Sequence, residues 1–346
     1  MKRGHRLLGW ALLLSSAPSA CGDAGGASGG AGAGGGTTSV SSGGGAGGEG
    51  EAGGGEAAGG GGGDVQVERC PGLQTGIVEP TLVTDVFSGS EDFAFNGQGY
   101  IVAKQGSNLI RYASTGQTSN FAYLPGDVRG LRYRPDGTLV AAQPSQGAVV
   151  QISTSGIVSD YVGGLLEPNG LSPDADGNVW ATERAGDRVI RLNPDASVDV
   201  IASGAPEVSQ PKGIVFDPGR RVVFYTNSSG GEIRRIDVAA PGEPPALVSA
   251  VEGTALEGLA LDTCGHLYAV DGGGARLYRV QLDAGGDAAA EPELLANFPT
   301  RVTNAQFGSG PGFNAKTLYV GGAQGAIYAV RAGINGAPVP TPPRAP

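Results

Sequence analysis

Six residues head six related stretches of this chain: Glu91, Arg129, Asn169, Lys212, Glu257 and Thr303. Two carboxylates, an amide and two cations at equivalent positions are not a core composition. Oxygen donors from Glu91, Asn169 and Glu257 suit a hard divalent cation such as Ca²⁺, with water completing the shell. Alternatively, the Lys212 ammonium neutralises Glu91 and Glu257 directly, since a protonated lysine cannot ligate and two nearby carboxylates favour its charged form. A third reading is an ion-pair network with no ligand. Glu183, Asn227 and Asp271 recur at a second equivalent position, where they could touch a substrate from the rim or simply belong to polar turns. His266 is the only histidine beyond the first twenty residues. That leaves a Ser-His-Asp arrangement and a His-rich zinc site unsupported. No P-loop and no G-x-G-x-x-G between strand and helix is present.

The elements that must position these residues repeat. The stretches are EDFAFNGQGYIVA from Glu91, RGLRYRPDGTLVAA from Arg129, NGLSPDADGNVWATE from Asn169, KGIVFDPGRRVVFYTN from Lys212, EGLALDTCGHLYAVD from Glu257 and TNAQFGSGPGFNAKTLYVGG from Thr303. Their starts lie 38, 40, 43, 45 and 46 residues apart, a propeller-blade period. Each unit reads as four short strands; in the third they fall near 169–174, 178–183, 187–193 and 197–203, with Asp176-Gly177 as a hairpin turn. No long window carries helical periodicity. The expected fold is therefore all-β, a six-bladed propeller of four-stranded blades. The sixth unit has only three strands, so Thr81–Phe87 is expected to supply the fourth and close the ring.

With the repeats aligned, the chain resembles the gluconolactonase/regucalcin (senescence marker protein) family of six-bladed propellers. TNAQFG with KTLYVGG, and EGLALDTCGHLYAV, carry the resemblance, which covers residues 80–331. The opening GSEDFAFNGQGYIV is similar to the paraoxonase branch, whose paired acids bind calcium, and DGNVWATERAGDRVIRL resembles virginiamycin B lyase repeats. In such propellers the first residue of each blade's first strand points to a shared space on the axis. The resemblance implies a metal site in which Glu91 matches a family ligand, Glu257 stands where Asp is usual, and Lys212 replaces a metal-binding Asn. It also implies lactone or ester opening, with Glu257 as general base and a metal or Lys212 polarising the carbonyl. Glu91 and Asn169 would position the cation or substrate, and Arg129, Glu183, Asn227 and Asp271 would contact the substrate. The competing expectation is a non-catalytic propeller that binds a protein or small ligand.

The N-terminus reads as an address. Lys2, Arg3 and Arg6 precede the apolar Leu7–Leu14 and a small-residue cleavage region, so residues 1–20 form an export signal. Cys21 follows at once, as in bacterial lipoproteins, although Pro18 stands where Leu is usual. Lipidation of Cys21 and plain secretion to the periplasm or beyond both remain open. Residues 21–64 form a linker, with 23 glycines in the 43 positions from 22 to 64. A segment so poor in apolar side chains is expected to stay disordered. Residues 65–331 then hold the propeller and 332–346 a Pro-rich tail. Cys70 and Cys264 are expected to pair in an oxidising compartment, against the alternative of two buried thiols. The formal net charge of −10 argues against nucleic acid and against an anionic membrane as partners, a lipid anchor aside.

Overall fold

The computed structural model describes residues 72–338 except Pro241, Gly253 and Ala323. The signal region, Cys21, the linker, Cys70 and the end of the tail lie outside the described residues. Six four-stranded antiparallel sheets follow one another as blades. Their innermost strands are Ala94–Phe95, Gly130–Tyr133, Pro168–Pro173, Pro211–Asp217, Leu256–Leu261 and Asn304–Phe307, in blades 1 to 6. The strands of blade 3, Pro168–Pro173, Val179–Glu183, Arg188–Leu192 and Val198–Ser203, lie within a residue of the sequence-based bounds.

A recurring Asx turn explains the acid or amide that ends the first strand in four of the six repeats. Asp174 Oδ1 accepts from the backbone N–H groups of Asp176 and Asn178. Asn96, Asp217 and Asp262 cap the equivalent hairpins of blades 1, 4 and 5 in the same way. A side-chain oxygen that satisfies two turn donors fixes the hairpin register locally.

In blades 2 to 5 the second strand is buried from end to end, as in Val179–Glu183 and Val222–Asn227. Six apolar clusters, one at each blade–blade boundary, hold the ring together. Trp180, Val189, Ile214 and Tyr225 meet between blades 3 and 4, and Phe93, Phe95, Phe313 and Tyr319 between blades 1 and 6. Full burial of each such side chain is worth roughly 1.5–3 kcal/mol. The last of these boundaries joins the first blade to the sixth.

Blade 6 takes its outer strand from the N-terminal side. Thr81–Thr84 pairs antiparallel with Ile327–Arg331. The expected strand ran to Phe87; the remaining residues leave the sheet, and Val86 and Phe87 pack into the boundary between blades 1 and 6. The segment before it runs along blade 5, with Val78 N–H donating to Leu295 O at 2.7 Å and Arg279 donating to Gln74 O at 2.6 Å. The C-terminal side docks on the same blade, where Ala337 N–H donates to Leu261 O at 2.9 Å. Cys264, in the first hairpin of blade 5, is disulfide-bonded.

Candidate functional site

Four blades begin their inner strand with a polar residue followed by glycine: Arg129-Gly130, Asn169-Gly170, Lys212-Gly213 and Glu257-Gly258. A Cβ on Gly130 would overlap Asn169 O, one on Gly170 would overlap Lys212 O, and one on Gly213 would overlap Glu257 O. Glycine is thus required because each inner strand presses directly on the next. Threonine hydroxyls clamp the same contacts: Thr182 donates to Lys212 O at 2.6 Å, Thr226 to Glu257 O at 2.9 Å and Thr303 to Glu91 O at 2.6 Å. The backbone that carries the mouth residues is therefore locked from blade to blade.

This collar surrounds a narrow central pocket, open to solvent, with room inside for about one water molecule. Glu91, Arg129, Asn169, Glu257 and Thr303 line it. Lys212 reaches it through Glu257: its Nζ lies 2.6 Å from Glu257 Oε1. Arg301 Nη2 donates to the same oxygen from 3.0 Å. Glu257 is 3% exposed, so two cations compensate one buried carboxylate. Glu91 and Arg129 face each other loosely at 3.9 Å, both partly exposed.

Below the mouth, Arg132 pairs with buried Asp92, which also accepts the N–H groups of Phe93 and Leu131 at 2.8 Å. Burial raises the Asp92 carboxyl above its ordinary range, and the Arg132 attraction offsets this only in part. Sequence reasoning passed over Arg132. Its signal was a charge at the fourth position of an inner strand, where blades 1, 4 and 5 carry Ala94, Val215 and Ala260.

Asn169 differs from its neighbours. It is 6% exposed, and its Nδ2 has no hydrogen-bond partner among the described residues. A buried amide donor left unpaired costs about 1–3 kcal/mol.

The matching family model is the SMP-30/gluconolactonase/LRE-like region, over residues 97–324. The chain belongs to this family. Among solved structures, it is similar to a gluconolactonase from Xanthomonas campestris (19% identity, 72% of this chain, 88% of that one, TM-score 0.60). A calcium-binding regucalcin from Agrobacterium tumefaciens gives 14% identity over 78% and 99% of the two chains, with a TM-score of 0.61. Virginiamycin B lyase from Staphylococcus aureus gives 14% identity over 67% and 77%, with a TM-score of 0.52. At these identities the likeness concerns the fold. No curated protein matches the chain in sequence.

A divalent cation, as in that regucalcin, can be tested against the residues present in this family member. Among the described residues, no group of three or more His, Cys, Asp or Glu side chains is placed to hold a metal ion. Of the expected ligands, Glu257 is engaged by Lys212 and Arg301, and Glu91 faces Arg129. An ammonium and a guanidinium on a ligand oxygen oppose a second positive charge there. The donor set does not fit the metal.

The three rim residues are brought to one face but do not line the pocket. Each ties down the loop that enters its own blade. Glu183 accepts from Leu166 N–H at 2.7 Å and pairs with Arg188 at 2.5 Å. Asn227 accepts from Ser209 N–H at 2.9 Å and donates to Glu207 O at 2.9 Å. Asp271 Oδ1 accepts from Ala255, Gly273 and Gly274. Gln143 does the same in blade 2, donating to Pro125 O at 2.7 Å. The recurrence that made these positions conspicuous in the sequence thus has a structural cause, the anchoring of entry loops. His266 is buried in the blade 5 hairpin, where its Nδ1 accepts from Leu282 N–H at 3.1 Å.

Proposed function

We propose that this chain is an exported, lipid-anchored gluconolactonase-like propeller that opens a small lactone or ester at the channel mouth without a metal. The observation that carries this reading is the Lys212–Glu257 contact, 2.6 Å, beside the unpaired Asn169 amide in a pocket framed by rigid backbone. Asn169 and Arg129 would donate to the substrate, and Lys212 would polarise its carbonyl. Glu257 would take a proton from water as the water oxygen attacks the carbonyl carbon. Collapse of the tetrahedral intermediate breaks the bond to the ring or ester oxygen, which leaves with that proton. The product is a hydroxy acid from a lactone, or an acid and an alcohol from an ester.

Titration of acid release from a panel of aldonolactones and simple esters tests this on the intact chain. Turnover is expected to survive EDTA and to fall about 10²-fold or more in Glu257→Gln. Full activity in Glu257→Gln would remove the assignment. Because Glu257 Oε1 already faces two cations, a second reading is retention of the ligand without hydrolysis. It predicts saturable binding and no acid release from any member of the panel. Export and anchoring rest on residues 1–21, and loss of membrane association in Cys21→Ser is the corresponding check.

A further inference from the structure

The ring is closed by its shortest outer strand. Thr81–Thr84 has four residues, against five or six in the outer strands of the other blades. Those five each follow the third strand of their own blade, whereas Thr81–Thr84 belongs to blade 6 by pairing alone, with an irregular register between Leu82 and Thr84. A short, half-exposed strand held in this way is where local opening starts.

The segment that leads into it is held by blade 5. Gly76 N–H donates to Glu293 Oε1 at 3.0 Å and Val78 N–H to Leu295 O at 2.7 Å, while Arg279 donates to Gln74 O. Leu73 and Val78 pack on the same apolar cluster as Cys264. Cys264 is disulfide-bonded, and the chain has two other cysteines, Cys21 and Cys70. The backbone path separates the two. Thr263 N–H, next to Cys264, donates to Asn335 O at 2.9 Å, and a Cβ on Gly333 would overlap Gly72 O. The stretch from Gly333 to Asn335 therefore bridges Gly72 and the neighbour of Cys264. Cys70 stands two positions before Gly72, about 7 Å of extended chain, and Cys21 stands 51 positions before it.

We propose that Cys264 is bonded to Cys70 and that this crosslink is the clasp of the ring, tying the segment before Thr81–Thr84 to blade 5 so that the closing strand stays seated. The bond forms by thiol–disulfide exchange with an oxidised dithiol oxidoreductase. The two cysteines lose two electrons and two protons, and the disulfide of the donor becomes a dithiol. Such a bond persists in an oxidising compartment. The pairing also leaves the sulfur of Cys21 available for lipid attachment. None of it depends on what the mouth does.

The test uses the full chain, expressed with its N-terminal signal region in a bacterial host. Mass-spectrometric peptide mapping after alkylation without reduction reads the pairing, and hydrogen exchange before and after phosphine reduction reads the clasp. A peptide that joins Cys70 to Cys264 is expected. Reduction should speed exchange at Val78 and through Thr81–Thr84 about tenfold or more and leave the blade 3 amides unchanged. Cys70→Ser and Cys264→Ser should each melt about 5–10 °C lower, and the double variant no lower than either. A Cys21–Cys264 peptide, or Cys264 alkylated as a free thiol, overturns the pairing. Exchange unchanged on reduction overturns the clasp even where the pairing holds. Reduction of the folded wild type keeps the test decisive where a variant fails to fold.

Discussion

The channel mouth and the first hairpin of blade 5 both bury charged and polar groups, yet they do so on opposite terms. In the hairpin, Asp262 Oδ1 accepts from the N–H groups of Cys264 and His266, and its Oδ2 accepts from Tyr268. His266 Nδ1 accepts from Leu282, and Arg279 is tied to Glu293 and to Gln74 O. These polar groups hold both ends of the described chain and the disulfide-bonded Cys264 against one blade. At the mouth, the side chains leave the Asn169 donor unpaired and set two cations on one oxygen of Glu257. An unpaired buried nitrogen does not by itself mark the site, since Arg279 Nε beside the hairpin also lacks a partner; what separates the two regions is that the side chains of the mouth line a pocket. Both regions contain a Glu or Asp next to Arg, and of the two the mouth is the one that opens onto a pocket.

The contrast can be broken most directly through the mouth backbone. Gly213→Ala drives a Cβ into Glu257 O and should destabilise the protein by about 3 kcal/mol or more. Near-wild-type urea unfolding of this variant would mean that the collar is soft and that the site's geometry is not imposed by strand contact. Next in size, Asp262→Ala removes an acceptor for two backbone donors and a buried hydroxyl, for a loss of about 2–3 kcal/mol. Acid release from lactones by the still-folded protein should not change.

A smaller effect concerns pH. Burial lowers the His266 imidazole below its ordinary range, with the positive charges of Arg279 and Arg220 acting in the same direction and Asp262 opposing them. The unfolded chain therefore takes up this proton first as pH falls below about 6.5. The folded state loses stability over that interval. Burial raises Asp92 and Asp262, and their contribution has the opposite sign: it is present below the carboxylate range and lost as pH rises through their folded values. The difference between wild type and His266→Gln in thermal melts from pH 7 to pH 5 isolates the histidine. Wild type should lose more stability than the variant, and parallel curves would show that His266 is not held neutral. The smallest expected change is Asn169→Ala, a gain of about 1 kcal/mol, because it removes the cost of an unpaired buried donor and gives up a little packing in return. A loss above about 2 kcal/mol would make Asn169 part of the scaffold and erase the distinction between the two regions.

How much was legible follows from the range of the interactions involved. The repeat, the hairpins and the inner-strand heads were open to reading because an Asx turn, a strand alternation and a glycine next to a polar residue are local signals. Blade 3 could be bounded to within a residue for that reason. Glu183, Asn227 and Asp271 were visible as a recurrence but not as loop anchors, because their partners lie 16 to 20 residues away in backbone groups that have no sequence identity. Arg301 gave no signal at all. It stands just outside the sixth repeat, and its meeting with Glu257 spans 44 residues.

The sequence by itself determined the six repeats, the all-β class, the family and the set of side chains that head each blade. Those features depend on local periodicity and on residue type. Only the tertiary structure decided that Lys212 and Arg301 converge on one oxygen of Glu257 and that Asn169 keeps a donor unpaired. It also showed the rim residues facing their own loops. Each of these is a balance of charge and hydrogen bonds among groups from different blades, and that balance exists only once the inner strands are pressed together around the axis.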